Sequence, residues 1–357
     1  MSLLQSRPRA IADAATPEEV VIAWGDRVVP EAPTFSARRH TATAATGQVG
    51  LGVERVGTVS LGASKALAVA SHGHGPEGLT LPDGYDARTR AAISIASHGL
   101  SVVTVRRSRR SGRWAVAEPT RASYNRRVHG GTVCKLTGPA AGDPRLRTAA
   151  DPGGTHVRGT FGASAATLAP WGAVLLGEGR FADCFEASGP VEHALAPSFA
   201  RYGLDGAGRG WSAAEERFDL AREPGEAFRF GWVVHLDPRR PTSRPRKLTM
   251  LGRLSVESIE ASLDDRGRAV VRLRDAGLAG HSYVYVSRDA VDHGTGATAG
   301  RHNRRMFTTG TLHLVAPDDP DTWLPLVSDT TSHVPGLSVA GALLDTRLAA
   351  QRLLATL

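Results

Sequence analysis

Glu178 is a lone carboxylate at the end of an apolar run. The run, TLAPWGAVLLGEGRF over residues 167–181, turns at Pro170-Trp171-Gly172 and closes with Glu178 between two glycines. A charge at the end of so apolar a segment costs free energy unless it is solvated, paired or bound to a cation. Glu178 is therefore read as a group at a strand mouth or as a metal ligand. A second candidate is ASHGHGPEG over 70–78, where His72 and His74 fall on one side of an extended chain. Two imidazoles so spaced can share a metal with Glu77 as a third ligand, and the alternative is a glycine loop with surface histidines. A third is YNRRVHGGTVCKLTGPAAG over 124–142, which gathers Asn125, Arg126, Arg127 and His129 ahead of a Gly-Gly pair and a strand. Arginine suits bidentate contacts to phosphate or carboxylate, so this stretch reads as an anion-binding edge or as a solvated Arg-rich loop.

Other catalytic signatures are missing. There is no glycine-rich dinucleotide fingerprint, no P-loop, no H-E-x-x-H and no paired C-x-x-C. GASAA around Ser164 lacks the second glycine and the strand-turn-helix setting of a nucleophile elbow. Cys134 and Cys184 are two thiols fifty residues apart, neither a disulfide framework nor zinc spacing, and are expected to be reduced. The formal charge of +8 comes from arginine, since only Lys65, Lys135 and Lys247 are lysines. The clusters RRSRRSGR (106–113) and PRRPTSRPRK (238–247) lack the interleaved aromatics that stack bases, so no nucleic-acid partner is expected. The first twenty residues carry no apolar signal core, and no run of eighteen apolar residues exists, so no membrane partner is expected and the chain is read as cytoplasmic.

The elements that must position these residues are short. Forty glycines and 21 prolines are spread through 357 residues, which breaks the chain into brief segments and disfavours a helical bundle. Strand-like runs occur at 20–24 (VVIAW), 66–70, 100–105, 113–118, 131–136, 172–177, 230–236, 248–254 (LTMLGRL), 268–273, 282–287 and 310–316. That rhythm predicts an all-β sandwich, barrel or propeller. RAVVRLRDAGLAGHSYVYVS reads as a hairpin with Gly277 and Gly280 in its loop, while 83–96 reads as a helical insertion and 337–357 as a C-terminal helix. No segment has linker composition, so 1–357 is read as a single domain.

Eight stretches occur in one order: AWGDRVVPEAPTF, SHGLSVVTVRR, YNRRVHGGTV, LTGPAAGDP, LAPWGAVL, FGWVVHLDPRRPTSRPRKLTMLGR, GTLHLV with TWLPLV, and LLDTRLAA. In these the chain resembles the PhoX-type alkaline phosphatase family. The resemblance implies a six-bladed β-propeller with an iron and calcium cluster at its centre. It also implies changes at the metal positions. Ser164 stands at the family's ligating cysteine, Glu178 keeps the first of two glutamates and Gly179 replaces the second. The Asn-His-Glu motif reads Ser71, His72, Gly73; the His-Glu pair reads Val256, Glu257; the Asp-Asp-Glu-Arg run reads Asp275, Ala276, Gly277, Leu278, without the phosphate-holding arginine. Ferric iron and calcium need several anionic oxygen ligands each, so the complete iron-calcium cluster is not expected to assemble. What remains, Glu178, Glu257 and Asp275 with His72, is the donor set for one divalent ion, calcium or similar; the alternative is solvated carboxylates at a tunnel mouth. Full-length members continue past the last of these motifs, so the expectation is an incomplete propeller that closes irregularly, pairs with itself as a homo-oligomer or receives blades from a second chain.

Three functions follow as expectations. The first is a divergent family member that binds or transforms a small, anionic substrate in its central pocket, with Asn125, Arg126, Arg127 and His129 as substrate contacts. The second is a residual metal-dependent phosphomonoesterase, and the third a non-catalytic propeller that binds a partner protein.

Overall fold

The protein is described by a computed structural model covering residues 15–73, 81, 84–277, 279–294 and 296–357. His74, Glu77 and Leu278, named above, lie outside the described residues.

Sixteen strands form three sheets among the described residues. In the first, β1 (Val53–Ser60), β2 (Lys65–His72) and β3 (Gly99–Arg107) are antiparallel neighbours. The short β4 (Trp114–Val116) and β5 (Arg126–Val128) both pair with β3, at its two ends. The second sheet is built from β6 (Val133–Thr137), β7 (His156–Arg158), β8 (Ala165–Leu168), β9 (Val174–Gly177), β10 (Val233–Leu236) and β11 (Arg246–Leu248), in the spatial order β7-β6-β11-β10-β9-β8. β11 runs parallel to β6, and the other pairings of this sheet are antiparallel. The third is an antiparallel meander of β12 (Val256–Leu263), β13 (Arg268–Asp275), β14 (Ser282–Ala290), β15 (Gly310–Ala316) and β16 (Asp319–Ser328).

Burial follows from sequence pattern. β2 and β9 are apolar at nearly every position and are covered on both faces. β13 alternates, with Ala269, Val271 and Leu273 inward and Arg272 and Arg274 outward. Val59, Leu67, Val69, Leu100 and Val102 of the first sheet meet Val174, Leu176, Val234 and Leu236 of the second. The second and third sheets share a larger core, into which the segment between β9 and β10 sends Phe181, Phe185, Trp211, Phe218 and Phe230. Trp211 stands edge-on to Phe161 and Phe218 at centroid distances of 5.2 and 5.1 Å, and such pairs add about 0.5–1.5 kcal/mol each beyond burial.

Three expected elements differ. VVIAW forms no strand: Val20 and Ile22 are half-buried and pack against Ala66, Ala68 and Trp114 without joining a sheet ladder. LTMLGRL is not a strand either, because β11 ends at Leu248 and Thr249–Leu251 makes a tight helical turn that stops at Gly252, whose φ of 78° suits glycine. The C-terminal helix is two helices, Val339–Leu344 and Thr346–Leu354. The break falls on Asp345, whose carboxylate accepts from the Leu348 amide at 3.2 Å and so starts the second helix as its N-cap. The helix expected at 83–96 is present over Ala87–Ser97, capped by Asp86, and the 268–287 hairpin is present as β13 and β14.

Candidate functional site

β8 and β9 form a hairpin through the Pro170-Trp171-Gly172 corner, and at its open end Glu178 follows β9 directly. Glu178 is fully buried. β10 lies between β9 and β11, so Lys247 in the middle of β11 reaches beneath it and places Nζ 2.8 Å from Glu178 Oε1, both side chains without solvent exposure. The Phe161 and Trp232 amides donate to Oε1 and Oε2 at 3.4 and 3.2 Å. The ammonium in turn donates to the Arg229 carbonyl at 3.0 Å and sits 3.6 Å from the centroid of the Phe230 ring. Burial lowers the Lys247 pKa, with the Glu178 charge opposing that shift. The Cys134 thiol, buried within electrostatic reach of this pair, is pushed up to about 11 by burial.

Asp275, at the end of β13, is held by Arg347: Nε to Oδ2 at 2.6 Å and Nη2 to Oδ1 at 2.7 Å, a bidentate pair that also receives the Ser255 amide at 2.9 Å. Glu257 is exposed on β12 and paired with Arg274 at 2.8 Å. His72 is buried at the end of β2, with Nε2 2.7 Å from Ser101 Oγ. Burial, reinforced by Arg127 and His98, sets its pKa well below the ordinary imidazole range. The three carboxylates thus each carry a protein cation, and among the described residues no group of three or more His, Cys, Asp or Glu is placed to share a metal.

Space closes around the same strand ends. A Cβ built on Gly179 meets Ser164 Oγ at 2.0 Å and the Val256 carbonyl at 2.1 Å; on Gly73 it meets the Ala163 carbonyl at 2.7 Å; on Gly277 it meets the Arg347 guanidinium at 2.8 Å. Ser164 donates its hydroxyl to the Val256 carbonyl. The positions without a ligand side chain are therefore filled by backbone, Ser164 and Arg347. This donor set does not fit the iron-calcium cluster that the sequence resemblance implies.

The proposed substrate contacts gather around β5. Asn125 ties loops together, accepting from the Thr104 amide at 2.7 Å and donating to the Val28 carbonyl at 2.8 Å. Arg127 is buried and spends its guanidinium on the carbonyls of Gln48, Ala96, Ser97, Leu100 and Val128. Burial lowers its pKa to about 9. Arg126 donates to the Arg240 carbonyl at 3.4 Å. His129 accepts from the Gly131 amide at 3.1 Å, and its pKa falls to about 4 through burial and then Arg127. These four lie on and beside β5, where Arg127 stands near His72.

What sequence reasoning missed is a cavity of about 570 Å³ beside Gly179 and Asp275. Arg201, Tyr202, His281, Arg347 and Gln351 stand on its wall. Arg201 is paired with Asp345, and Tyr202 lies between the guanidinium groups of Arg253 and Arg347, 4.2 and 4.7 Å from its ring centroid. Burial raises the Tyr202 hydroxyl, which donates to the Arg253 carbonyl at 2.9 Å. Lys247 left little signal, because it closes the basic stretch PRRPTSRPRK and its burial is decided by the strands beside β11.

No curated protein matches the chain. A solved structure of Pseudomonas fluorescens PhoX in complex with vanadate, a transition state analogue, is similar to it, with 31% identity and a TM-score of 0.81. The match covers 92% of this chain and 59% of that one, so the chain spans less than two thirds of that relative's length. The likeness makes the assembly of the three sheets β-propeller-like, as the resemblance implied. The model of the alkaline phosphatase PhoX family matches residues 17–357, and the chain therefore belongs to that family.

Proposed function

We propose that this family member binds a small anionic molecule in its central pocket without assembling the family's metal cluster. The observation that carries the reading is the fully buried Lys247–Glu178 pair: an ammonium takes the place beside Glu178 that a metal cation would need. Arg347 does the same for Asp275. The neighbouring cavity presents Arg201 and Arg347 on its wall with Tyr202 and His281, which suits a carboxylate or phosphate that exchanges with the aspartates for the same guanidinium groups. His281 carries a pKa lowered by burial, against the pull of Asp275, and so offers this ligand a neutral imidazole.

The likeness to a phosphatase crystallised with a transition state analogue favours a second reading, hydrolysis of phosphate monoesters. One experiment separates the two. Tag-free protein purified without chelators is analysed for metals by plasma mass spectrometry, as wild type and as Glu178→Gln, and both are assayed on an aryl phosphate with and without added calcium and iron. The expected result is substoichiometric metal in both and no chelator-sensitive hydrolysis. Stoichiometric metal that disappears in the variant, together with chelator-sensitive activity, overturns the first reading and installs the second.

A further inference from the structure

The opposite end of the same hairpin carries a second, independent site. The Pro170-Trp171-Gly172 corner borders a cavity of about 440 Å³, within the ordinary size range of small-molecule pockets. Its walls come from the first two sheets and a helix: β1 contributes Thr58 to Ser60, β10 and the turn after it contribute His235, Arg239 and Arg240, and the helix Ala297–Arg305 contributes Asn303 and Arg304.

The hydrogen-bonding account of this cavity is lopsided. Its acceptors are engaged. Asp237 receives the Arg239 amide at 3.0 Å and Arg240 Nε at 3.1 Å; Asp292 receives the Gly294 amide at 2.8 Å, and its own amide and carbonyl are both held by Asn303. Its donors are not. Trp171 Nε1 and Arg304 Nη1 are buried without a hydrogen-bond partner among the described residues. The Arg239 guanidinium lies against Gly172, where an added Cβ would meet its Nη1 at 2.2 Å, and no described residue pairs with it. A buried donor without an acceptor costs roughly 1–3 kcal/mol, and these two buried donors, with the half-buried Arg239 guanidinium beside them, lack the same thing, an acceptor. His235, buried beside Arg246 and Arg304 with its pKa lowered to about 3 mainly by burial, is a neutral imidazole, so the cavity's positive charge comes from its arginines.

We infer that this cavity is a binding site for a small organic anion, with an oxyanion head held by Arg239, Arg304 and the Trp171 indole N–H. The volume exceeds what a bare oxyanion needs. Its apolar wall at Val59, Leu168 and Ala173 takes the body of the ligand. Gly172 is what lets Arg239 approach the corner so closely, which gives the Trp-Gly pair a role beyond turning the hairpin.

The test is titration calorimetry on the full chain with inorganic phosphate, phenyl phosphate and benzoate, at low and moderate salt. Wild type is compared with Arg239→Gln, Trp171→Phe and Arg201→Gln, the last altering the other cavity. The expected result is salt-sensitive binding of at least one probe with a component weakened about tenfold or more by Arg239→Gln and severalfold by Trp171→Phe; that component survives Arg201→Gln, and any component that Arg201→Gln removes belongs to the cavity beside Asp275. Because Trp171→Phe keeps an aromatic ring at the corner while removing the indole N–H, it tests the site even if Arg239→Gln fails to fold. Absence of binding up to ~10 mM for all three probes, a regime weaker than ~2.7 kcal/mol of affinity, overturns the inference. So does binding that only Arg201→Gln weakens, which assigns the anion to the cavity beside Asp275 and leaves the preceding section's reading standing.

Discussion

Lys247 and Glu178 show what a buried charge requires. Each alone would be strongly disfavoured in an apolar interior, and the pair persists because the carboxylate collects three donors while the ammonium also gains the Arg229 carbonyl and the Phe230 ring. Such a pair contributes little relative to a well-packed apolar replacement, yet it penalises removal of one partner by about 3–5 kcal/mol. Lys247→Met, which strands a carboxylate, and Glu178→Gln, which strands an ammonium, should therefore each lower the urea midpoint. In the double variant Glu178→Gln with Lys247→Met most of that loss should return, giving a strong coupling in the double-mutant cycle. Additive losses would show that the two side chains do not depend on each other and would remove the main support for an ammonium in place of a metal.

At the scale of elements, the hairpins were legible because alternation and glycine-bearing turns are local signals. β13 and β14 stand where RAVVRL and SYVYVS put them. The misreadings came where tertiary partners decide. VVIAW has strand composition, but Val20 and Ile22 pack onto a face of the first sheet without joining its ladder. LTMLGRL ends a strand rather than extending it, because an added Cβ on Gly252 would meet Thr346 Oγ1 at 2.7 Å, a neighbour nearly a hundred residues away in sequence. The sequence reads 337–357 as one helix, whereas the Asp345 carboxylate interrupts it, caps the second helix and pairs with Arg201. Two substitutions distinguish these roles. Asp345→Asn keeps a capping oxygen and loses the charge, while Asp345→Ala loses both; the alanine variant should cost about 1–2 kcal/mol more than the asparagine one in urea unfolding. Equal losses would mean that the cap is idle and that only the Arg201 pair matters.

For the whole molecule, sequence order identified the family and the candidate carboxylates, but it could not show that each already has a cationic partner, because Lys247, Arg274 and Arg347 come from other strands or the C-terminal helix. The same density of buried polar groups makes stability depend on pH. Burial holds His40 and His129 at about 4 and His235 at about 3, with Arg127 adding to the shift of His129 and Arg246 and Arg304 to that of His235; His72 lies well below the ordinary value of 6.5. The native state keeps these rings neutral while the unfolded chain protonates them near pH ~6.5. Below that pH the unfolded state binds more protons, so stability rises with pH and is lost as pH falls through 6.5 toward 4. Thermal unfolding followed from pH 7.5 to 5 should show a falling midpoint, and calorimetry in buffers of different ionisation heat should show proton uptake on unfolding. A midpoint that holds level across this window would mean that these histidines are protonated in the native state and that the interior next to Arg127 and Arg246 is wetter than its packing indicates.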